Sequence, residues 1–269
     1  MFGNAPRALW ERWFTPDEQH RIELACRCLL ATGLSGKTVL FETGIGAFLE
    51  PALADRFGLT ESEHRLLHSL NELGCSHDDV DLVVLSHLHF DHVGGLFSLY
   101  EEGQPMQLLF PNARYLISEA AWDTALHPHL RDKPSILPEQ IQLLKDSGRV
   151  ELVSGPEHPL TGEAVRFEFS DGHTRGLMMG ELGGDGGVSF AADLIPGVQW
   201  VHLPLTMGYD RFPELVIDEK KAYLEDKITR GVRLFYTHDP ETAMSNVSCS
   251  EDDRYIADNK KPVVAELEL

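Results

Sequence analysis

The chain has 269 residues, of which 42% are hydrophobic and 25% charged, and its formal net charge is −20. These proportions are typical of a globular protein and exclude a disordered chain, a collagen-like fibre and a disulfide-stapled miniprotein. The acidic balance argues against nucleic acid and anionic lipid as partners, because both are bound through Lys and Arg. The chain has four cysteines, no signal-peptide-like N-terminus and no apolar run of the ~18 residues that a membrane span needs, so we predict a cytoplasmic protein.

Strand and helix patterns alternate along the chain. Residues 21–31 and 37–43 are apolar, and the turn signal between them predicts a β-hairpin. Residues 61–73 carry a helical stripe of leucines, with Thr60 as N-cap and Gly74 as stop. Strands are predicted at 81–86, 114–118, 150–153, 165–169, 188–192 and 232–237, and helices at 138–146 and 218–230.

This mixture of elements predicts one layered α/β domain over residues 1–269. There are no repeats and no low-complexity linker that would divide it. Residues 101–145 contain several prolines and two helix-like stretches, and we interpret them as a helical insertion or lid between core strands.

Residues 86–96 read S-H-L-H-F-D-H-V-G-G-L and place four potential metal ligands within six positions, namely His87, His89, Asp91 and His92. In extended backbone, positions 87, 89 and 91 point to one side and position 92 points elsewhere, so the run can serve two neighbouring metal ions. Imidazole and carboxylate suit zinc, and also manganese, iron or cobalt. Gly94 and Gly95 permit a tight turn into a helix that we expect directly after this run.

The H-x-H-x-D-H run followed by Gly-Gly, after a buried strand, resembles the metallo-β-lactamase superfamily of hydrolases. Four further runs fit that family's pattern in chain order, which are Glu42-Thr43-Gly44, Gly172-His173-Thr174, Phe190-Ala191-Ala192-Asp193 and Phe235-Tyr236-Thr237-His238. The resemblance covers nearly the whole chain. It implies a four-layer αββα sandwich, with two mixed β-sheets flanked by helices.

Carried over by position, the resemblance fills all seven ligand places of two divalent ions. It assigns the first ion to His87, His89 and His173, and the second to Asp91, His92 and His238. Asp193 would bridge the two ions. Zinc is the first expectation, with manganese, iron or cobalt as alternatives.

Shorter runs resemble the YtnP-like branch of quorum-quenching lactonases within this superfamily. Members of that branch usually carry a further strand before the Met-Phe-Gly run with which this chain starts. Acyl-homoserine lactonases place a Tyr three residues after the bridging Asp, where this chain has Pro196. The runs that resemble the branch include residues 1–10, 16–18, 110–113, 192–196, 207–210 and 238–240.

The resemblance implies that hydroxide between the two ions attacks the carbonyl of a small lactone or ester, such as an N-acyl homoserine lactone. Asp91 is the candidate for moving a proton to the leaving group, with a pure ligand role as the alternative. Phe90 and Tyr209 are candidate substrate contacts in an apolar pocket. Trp10, Trp13 and Phe14 are further candidate walls, or a homodimer contact.

Three alternative functions stay open at this point. A glyoxalase II-like thioesterase or a phosphotriesterase would use the same metals. A non-catalytic scaffold would bind metal without turning over any substrate. The thioesterase would need basic residues near the C-terminus, where Arg254, Lys260 and Lys261 give thin support. The scaffold is disfavoured because no ligand position is lost.

Overall fold

A computed structural model describes residues 1–60 and 63–269. The chain divides into two compact units. We call residues 28–154 the central unit, and residues 1–27 together with 155–269 the terminal unit. Among the described residues, no helix is both long and apolar enough to cross a bilayer.

The described residues form strands and helices in both units. The strands are β1 (Leu29–Leu34), β2 (Lys37–Phe41), β3 (Leu82–Leu85), β4 (Arg114–Ser118), β5 (Val150–Val153), β6 (Val165–Ser170), β7 (Leu177–Leu182), β8 (Val188–Phe190), β9 (Arg233–Phe235), β10 (Met244–Cys249) and β11 (Tyr255–Lys261). The α-helices are α1 (Arg7–Trp10), α2 (Pro51–Phe57), α3 (Arg65–Glu72), α4 (Phe90–Val93), α5 (Glu119–Leu126), α6 (Pro138–Asp146) and α7 (Pro213–Arg230).

The central unit contains a five-stranded mixed sheet in the order β1-β2-β3-β4-β5. The pair β1–β2 is antiparallel, and the other neighbours are parallel. All four residues of β3 are buried, as expected for a strand with both faces covered. Its uninterrupted apolar sequence therefore brings the chain to Ser86 and the ligand run at the carboxyl end of a buried strand.

The terminal unit contains a six-stranded mixed sheet in the order β11-β10-β9-β8-β7-β6. Only the pair β8–β9 is parallel among these described strands. The long helix α7 starts with Pro213, whose fixed φ suits the first turn, and ends at Gly231, which has a φ of 67°. Each unit thus supplies one mixed sheet with its helices, as the sequence predicts.

Several predicted boundaries shift in the structure. Residues 21–28 form no strand, and the N–H groups of Ala25 and Arg27 instead donate to the carbonyls of His238 and Thr237. The helix predicted at 61–73 is α3, which begins at Arg65, while Glu61 and Ser62 lie outside the described residues. His64 caps α3 in place of Thr60, because its side chain accepts the N–H of Leu67.

The C-terminal half contains elements that the sequence patterns do not predict. The helix predicted at 218–230 begins five residues earlier, at Pro213. Strands β7, β10 and β11 lack clear alternation, because β7 is buried throughout and β11 is rich in polar residues. Strand β4 lies within residues 101–145 and pairs with β3 and β5, whereas the lid role of that segment and the single-domain organisation stay predictions.

Candidate metal centre

The central unit presents four of the predicted ligands directly after β3. His87 and His89 lie in non-helical backbone, and α4 begins at Phe90. Asp91 and His92 are therefore on the first helical turn and not on the extended chain that the alternation argument assumed. The N–H of Phe90, which has no partner within the helix, donates to the carbonyl of Ser135, 2.8 Å away.

His92 is held by a buried glutamate. Its Nδ1 lies 2.7 Å from Oε2 of Glu42, and both side chains are 1% exposed. Since a carboxylate only accepts, Nδ1 of His92 donates and Nε2 is left for a ligand role. The second oxygen, Oε1 of Glu42, accepts the N–H of Ser86 at 2.7 Å. Glu42 has a φ of 63°, a strained conformation that side chains rarely adopt away from functional sites.

His87 and His89 face each other. Nε2 of His87 lies 3.0 Å from Nδ1 of His89, and Oγ of Ser86 lies 2.8 Å from Nδ1 of His87. Glu42, His87 and His92 offer ligand atoms that lie within 4.8 Å of one another. The central unit therefore gathers imidazole nitrogens and a carboxylate at one strand end, which is the donor set that zinc and related metals prefer.

Gly94 and Gly95 lie in a 3₁₀ turn directly after α4 and pack closely against the main chain of residues 43–45. A Cβ on Gly94 would lie 2.0 Å from the carbonyl oxygen of Ile45, and one on Gly95 would lie 2.0 Å from that of Thr43. Gly94 has an ordinary helical φ of −59°. The pair lets the chain after α4 lie against residues 43–46, which also places Thr43 Oγ1 3.0 Å from the carbonyl oxygen of His92.

The terminal unit presents the other three predicted ligands, each after a strand. His173 follows β6, Asp193 follows β8 in a short 3₁₀ helix, and His238 follows β9. All three are buried. Ala192, which precedes Asp193, has a φ of 46°, so the backbone is strained where the chain turns this carboxylate inward.

The Asp193 carboxylate lies between two histidines. Its Oδ2 is 3.3 Å from Nε2 of His173, and its Oδ1 is 3.2 Å from Nε2 of His238. Burial disfavours the charged imidazolium of His238, but the charge and hydrogen bond of Asp193, together with a contribution from Cys26, hold the pKa of His238 well above its usual value. The side chain of Cys26 also forms a hydrogen bond with His238.

Oxygen acceptors also fix the ring orientation of the terminal unit's histidines. Nδ1 of His173 lies 2.8 Å from Oδ1 of Asp210, and Nδ1 of His238 lies 2.7 Å from the carbonyl oxygen of Ala25. Because these oxygens only accept, Nδ1 donates in both rings. Each Nε2 of a neutral ring then turns a lone pair towards Asp193, an arrangement that a proton or a metal cation stabilises.

Four histidines thus share one feature across the two units, a second ring nitrogen held by oxygen. Metal-binding histidines almost always show this arrangement, because the outer hydrogen bond fixes the tautomer and the ring plane. The partners are Ser86 for His87, Glu42 for His92, Asp210 for His173 and the carbonyl of Ala25 for His238. The donor chemistry and orientation of these residues fit divalent metal.

The two predicted substrate contacts differ in exposure. The ring of Phe90 is partly buried, with its centroid 5.0 Å from that of Phe57. Tyr209, in the terminal unit, is 61% exposed. Their roles as substrate contacts stay predictions.

The N-terminal aromatics pack within the terminal unit. The ring of Phe2 stacks between Trp10 and Trp200, with centroid distances of 5.3 and 4.9 Å. Phe14 is buried, whereas Trp13 is 38% exposed. The segment thus has a packing role, and its part in a pocket wall or dimer contact stays a prediction.

One further acidic cluster in the terminal unit is already neutralised. Glu168, Glu181 and Asp226 offer oxygens within 4.8 Å of one another. Nζ of Lys227 lies 2.5, 2.6 and 2.9 Å from oxygens of these three residues, and Arg230 pairs with two of them. The lysine takes the place that a cation would need, so this cluster is a buried ion-pair network.

The sequence model of the metallo-beta-lactamase superfamily matches residues 22–238, a stretch that starts before β1 and ends at His238. The chain belongs to the metallo-β-lactamase superfamily. Its sequence is also 28% identical over 131 residues to the N-acyl homoserine lactonase AiiA of Bacillus thuringiensis subsp. kurstaki. That match spans 49% of this chain and 43% of the relative, which is less than half of either protein.

Two solved structures have the same fold. A probable metal-dependent hydrolase from Staphylococcus aureus aligns with a TM-score of 0.85 and 22% identity, over 99% of this chain and 92% of that one. AidC, a dizinc quorum-quenching lactonase in complex with a product, N-hexanoyl-L-homoserine, aligns with a TM-score of 0.71 and 23% identity, over 92% and 82% of the two chains. The predicted fold class is confirmed by these likenesses.

Sequence reasoning identified the ligand-type residues of this superfamily member but missed some of the groups that orient them. Asp210 was noticed only within the run 207–210, and its bond to His173 joins positions 37 residues apart. Glu42 was noticed as part of a turn motif, and its bond to His92 was not foreseen. The sequence signal for such a group is an acidic residue within an otherwise apolar run, and it does not indicate which histidine the acid contacts.

Proposed function

We propose that this chain is a dinuclear metal-dependent hydrolase that opens small lactones or esters, with N-acyl homoserine lactones as the first substrates to test. The observation that carries the proposal is the orientation of His92, His173 and His238, each of which has Nδ1 bonded to an oxygen so that Nε2 is the nitrogen suited to coordinate a metal. Membership of the superfamily and the lactonase named among its relatives support the reaction class.

We propose that the seven predicted ligands of the two units hold a pair of divalent ions. Asp193 is the bridging ligand, since its two oxygens face different histidines. The remaining ligands are His87, His89 and His173 for one ion, and Asp91, His92 and His238 for the other. Zinc is the first metal to test, because a dizinc lactonase has the same fold, and manganese, iron and cobalt are the alternatives.

Bound divalent ions would supply Lewis acidity, which acidifies water and polarises a carbonyl oxygen. The protein's own groups prepare the site for that chemistry. Glu42 and Asp210 accept hydrogen bonds from Nδ1 of His92 and His173, and thereby raise the basicity of the opposite ring nitrogens. These bonds need no rearrangement during turnover.

Asp91 is the residue we propose for proton transfer in addition to coordination. Its side chain is 31% exposed, more than the 1% of the adjacent His92, and its Oδ2 lies 3.7 Å from Nε2 of that histidine. Partial access to solvent lets a carboxylate exchange its proton with water after each turnover. Replacement by Asn should therefore lower kcat more than it raises KM.

The expected substrate is small and uncharged. A net charge of −20 disfavours polyanionic substrates such as RNA. Phe90 and Tyr209 are the side chains we propose for contact with an apolar acyl group. A cytoplasmic location and a homodimer contact through residues 10–14 stay predictions.

Metal content tests the ligand assignment. We expect two equivalents of metal per chain in the wild-type protein and in Asp218→Ala, an exposed control on α7. Asp193→Ala should hold less than one equivalent and lose lactone turnover. Two tightly bound equivalents together with full turnover in Asp193→Ala would refute the proposal.

A further inference from the structure

Helix α7 carries a lysine that is fully buried. Lys220 has no exposed surface, and its Nζ donates to the carbonyl oxygens of Trp200, His202 and Leu205 at 2.9, 3.1 and 2.7 Å. Three acceptors match the three donors of an ammonium group. All three of these acceptors are main-chain carbonyl oxygens. Because burying an ammonium group is costly, a lysine at this place needs a reason beyond packing.

The three carbonyls belong to the segment that leads to Asp210. That segment ends in a turn in which Asp210 N–H donates to the carbonyl of Met207 at 3.2 Å. In return, Met207 N–H donates to Oδ2 of Asp210 at 2.6 Å. The other oxygen of Asp210 lies 2.8 Å from Nδ1 of His173. Lys220 thus fixes the backbone that aims the acceptor of His173.

The preceding residue of α7, Glu219, fixes the other side of the same histidine. Its carboxylate accepts the hydroxyl of Ser170 at 2.6 Å and the N–H groups of Asp171 and Gly172 at 2.9 and 3.1 Å. Ser170 ends β6, and Asp171 and Gly172 form the turn that leads to His173. A Cβ on Gly172 would lie 2.6 Å from Cγ2 of Val216, so the turn is also packed directly on α7.

We propose that Glu219 and Lys220 are positioning residues that hold His173 in its coordinating orientation from two sides. Glu219 fixes the main chain that carries the ring, and Lys220 fixes the main chain that carries the ring's acceptor, Asp210. The inference rests on the proposed role of His173 as a metal ligand. It adds that one helix, through the hydrogen bonds of two adjacent side chains, sets the geometry of that ligand.

The experiment compares Glu219→Gln and Lys220→Met with matched exposed controls on the same helix. Lys221→Met removes a lysine whose side chain is 59% exposed, and Glu214→Gln removes an exposed glutamate in the first turn. Two quantities are measured in all five proteins, the zinc affinity by chelator competition and the His173 tautomer by long-range ¹H–¹⁵N correlation spectra of metal-free protein. Glu219→Gln keeps the side-chain shape and guards against a folding failure of Lys220→Met.

We expect zinc affinity to fall roughly 10- to 100-fold in the two test variants, the usual effect of removing groups that orient a ligand. The His173 signals should change from a single Nδ1-protonated form to a mixture of tautomers, while both controls match the wild type. Unchanged zinc affinity and an unchanged tautomer in folded Glu219→Gln and Lys220→Met would overturn the inference. If wild-type protein binds no zinc, the proposed function fails, and the tautomer comparison still decides whether α7 positions His173.

Discussion

Oε2 of Glu42 lies 2.7 Å from Nδ1 of His92, and both side chains are buried. The bond makes His92 a donor at Nδ1 and turns its other ring nitrogen, Nε2, away from Glu42. The same carboxylate also accepts the N–H of Ser86, one residue before His87. Glu42 therefore orients the ring of one proposed ligand, His92, and fixes the backbone next to another, His87.

Replacing Glu42 by Gln should weaken metal binding. The amide can accept only through its oxygen, so one of the bonds to His92 and Ser86 is lost. We expect metal affinity to fall roughly 10- to 100-fold, measured by chelator competition. Glu50→Gln, an exposed glutamate with no side-chain capping bond, is the control. Equal metal affinity in the two variants would show that Glu42 does not support the site.

Gly94→Ala should lower the stability of the fold. The added Cβ would lie 2.0 Å from the carbonyl oxygen of Ile45, which is backbone and cannot move aside cheaply. We expect a loss of about 1–3 kcal/mol or more in the free energy of unfolding, measured by urea denaturation. Gly155→Ala is the matched control, since nothing lies within 4 Å of its added Cβ. A wild-type midpoint in Gly94→Ala would contradict the close-packing role.

Lys220 should make stability depend on pH in a defined window. Burial lowers its pKa from 10.5 to about 7, with the Asp210 charge opposing the shift. Between about pH 7 and 10.5 the unfolded lysine therefore binds a proton that the folded one has released, so this group makes stability rise with pH. The full shift corresponds to about 5 kcal/mol.

The test compares urea unfolding at pH 7 and pH 9. From pH 7 to pH 9 the wild-type protein should gain about 2 kcal/mol more than Lys220→Met, since only the wild type loses the buried charge. Other groups cancel in this difference if the substitution leaves them unchanged. Lys221→Met, which removes a charge with an exposed side chain, should follow the wild type. Parallel pH profiles for wild type and Lys220→Met would contradict the account.

The candidate ligands could be proposed from the sequence because each of them lies in a short run after a predicted strand. The H-x-H-x-D-H run and the turn at Gly172-His173 need no knowledge of distant contacts. The orienting groups could not be predicted in this way. His238 bonds to the carbonyl of Ala25, 213 positions away, and a backbone carbonyl leaves no trace in the sequence.

Some element boundaries were predicted correctly because a local residue determines them, and others wrongly because a distant contact does. Pro138 and Gly231 mark helix ends by their own backbone preferences, and both ends were predicted correctly. Residues 21–28 have a strand-like composition but bond to residues 237 and 238, a pairing that no local pattern reveals. Phe90 likewise begins α4 in a place where extended chain was expected, and its N–H bonds to the distant carbonyl of Ser135.

Acid release on adding lactones to the metal-loaded protein tests the central claim most directly. Zinc- and manganese-loaded protein would be given N-acyl homoserine lactones of several chain lengths, simple γ- and δ-lactones, S-lactoylglutathione and an aryl phosphotriester. We predict rapid proton release from at least one lactone class, abolished by chelation and restored by metal. Turnover of the thioester or phosphotriester with none of any lactone, or lactone turnover that survives complete metal removal, would contradict the proposed function.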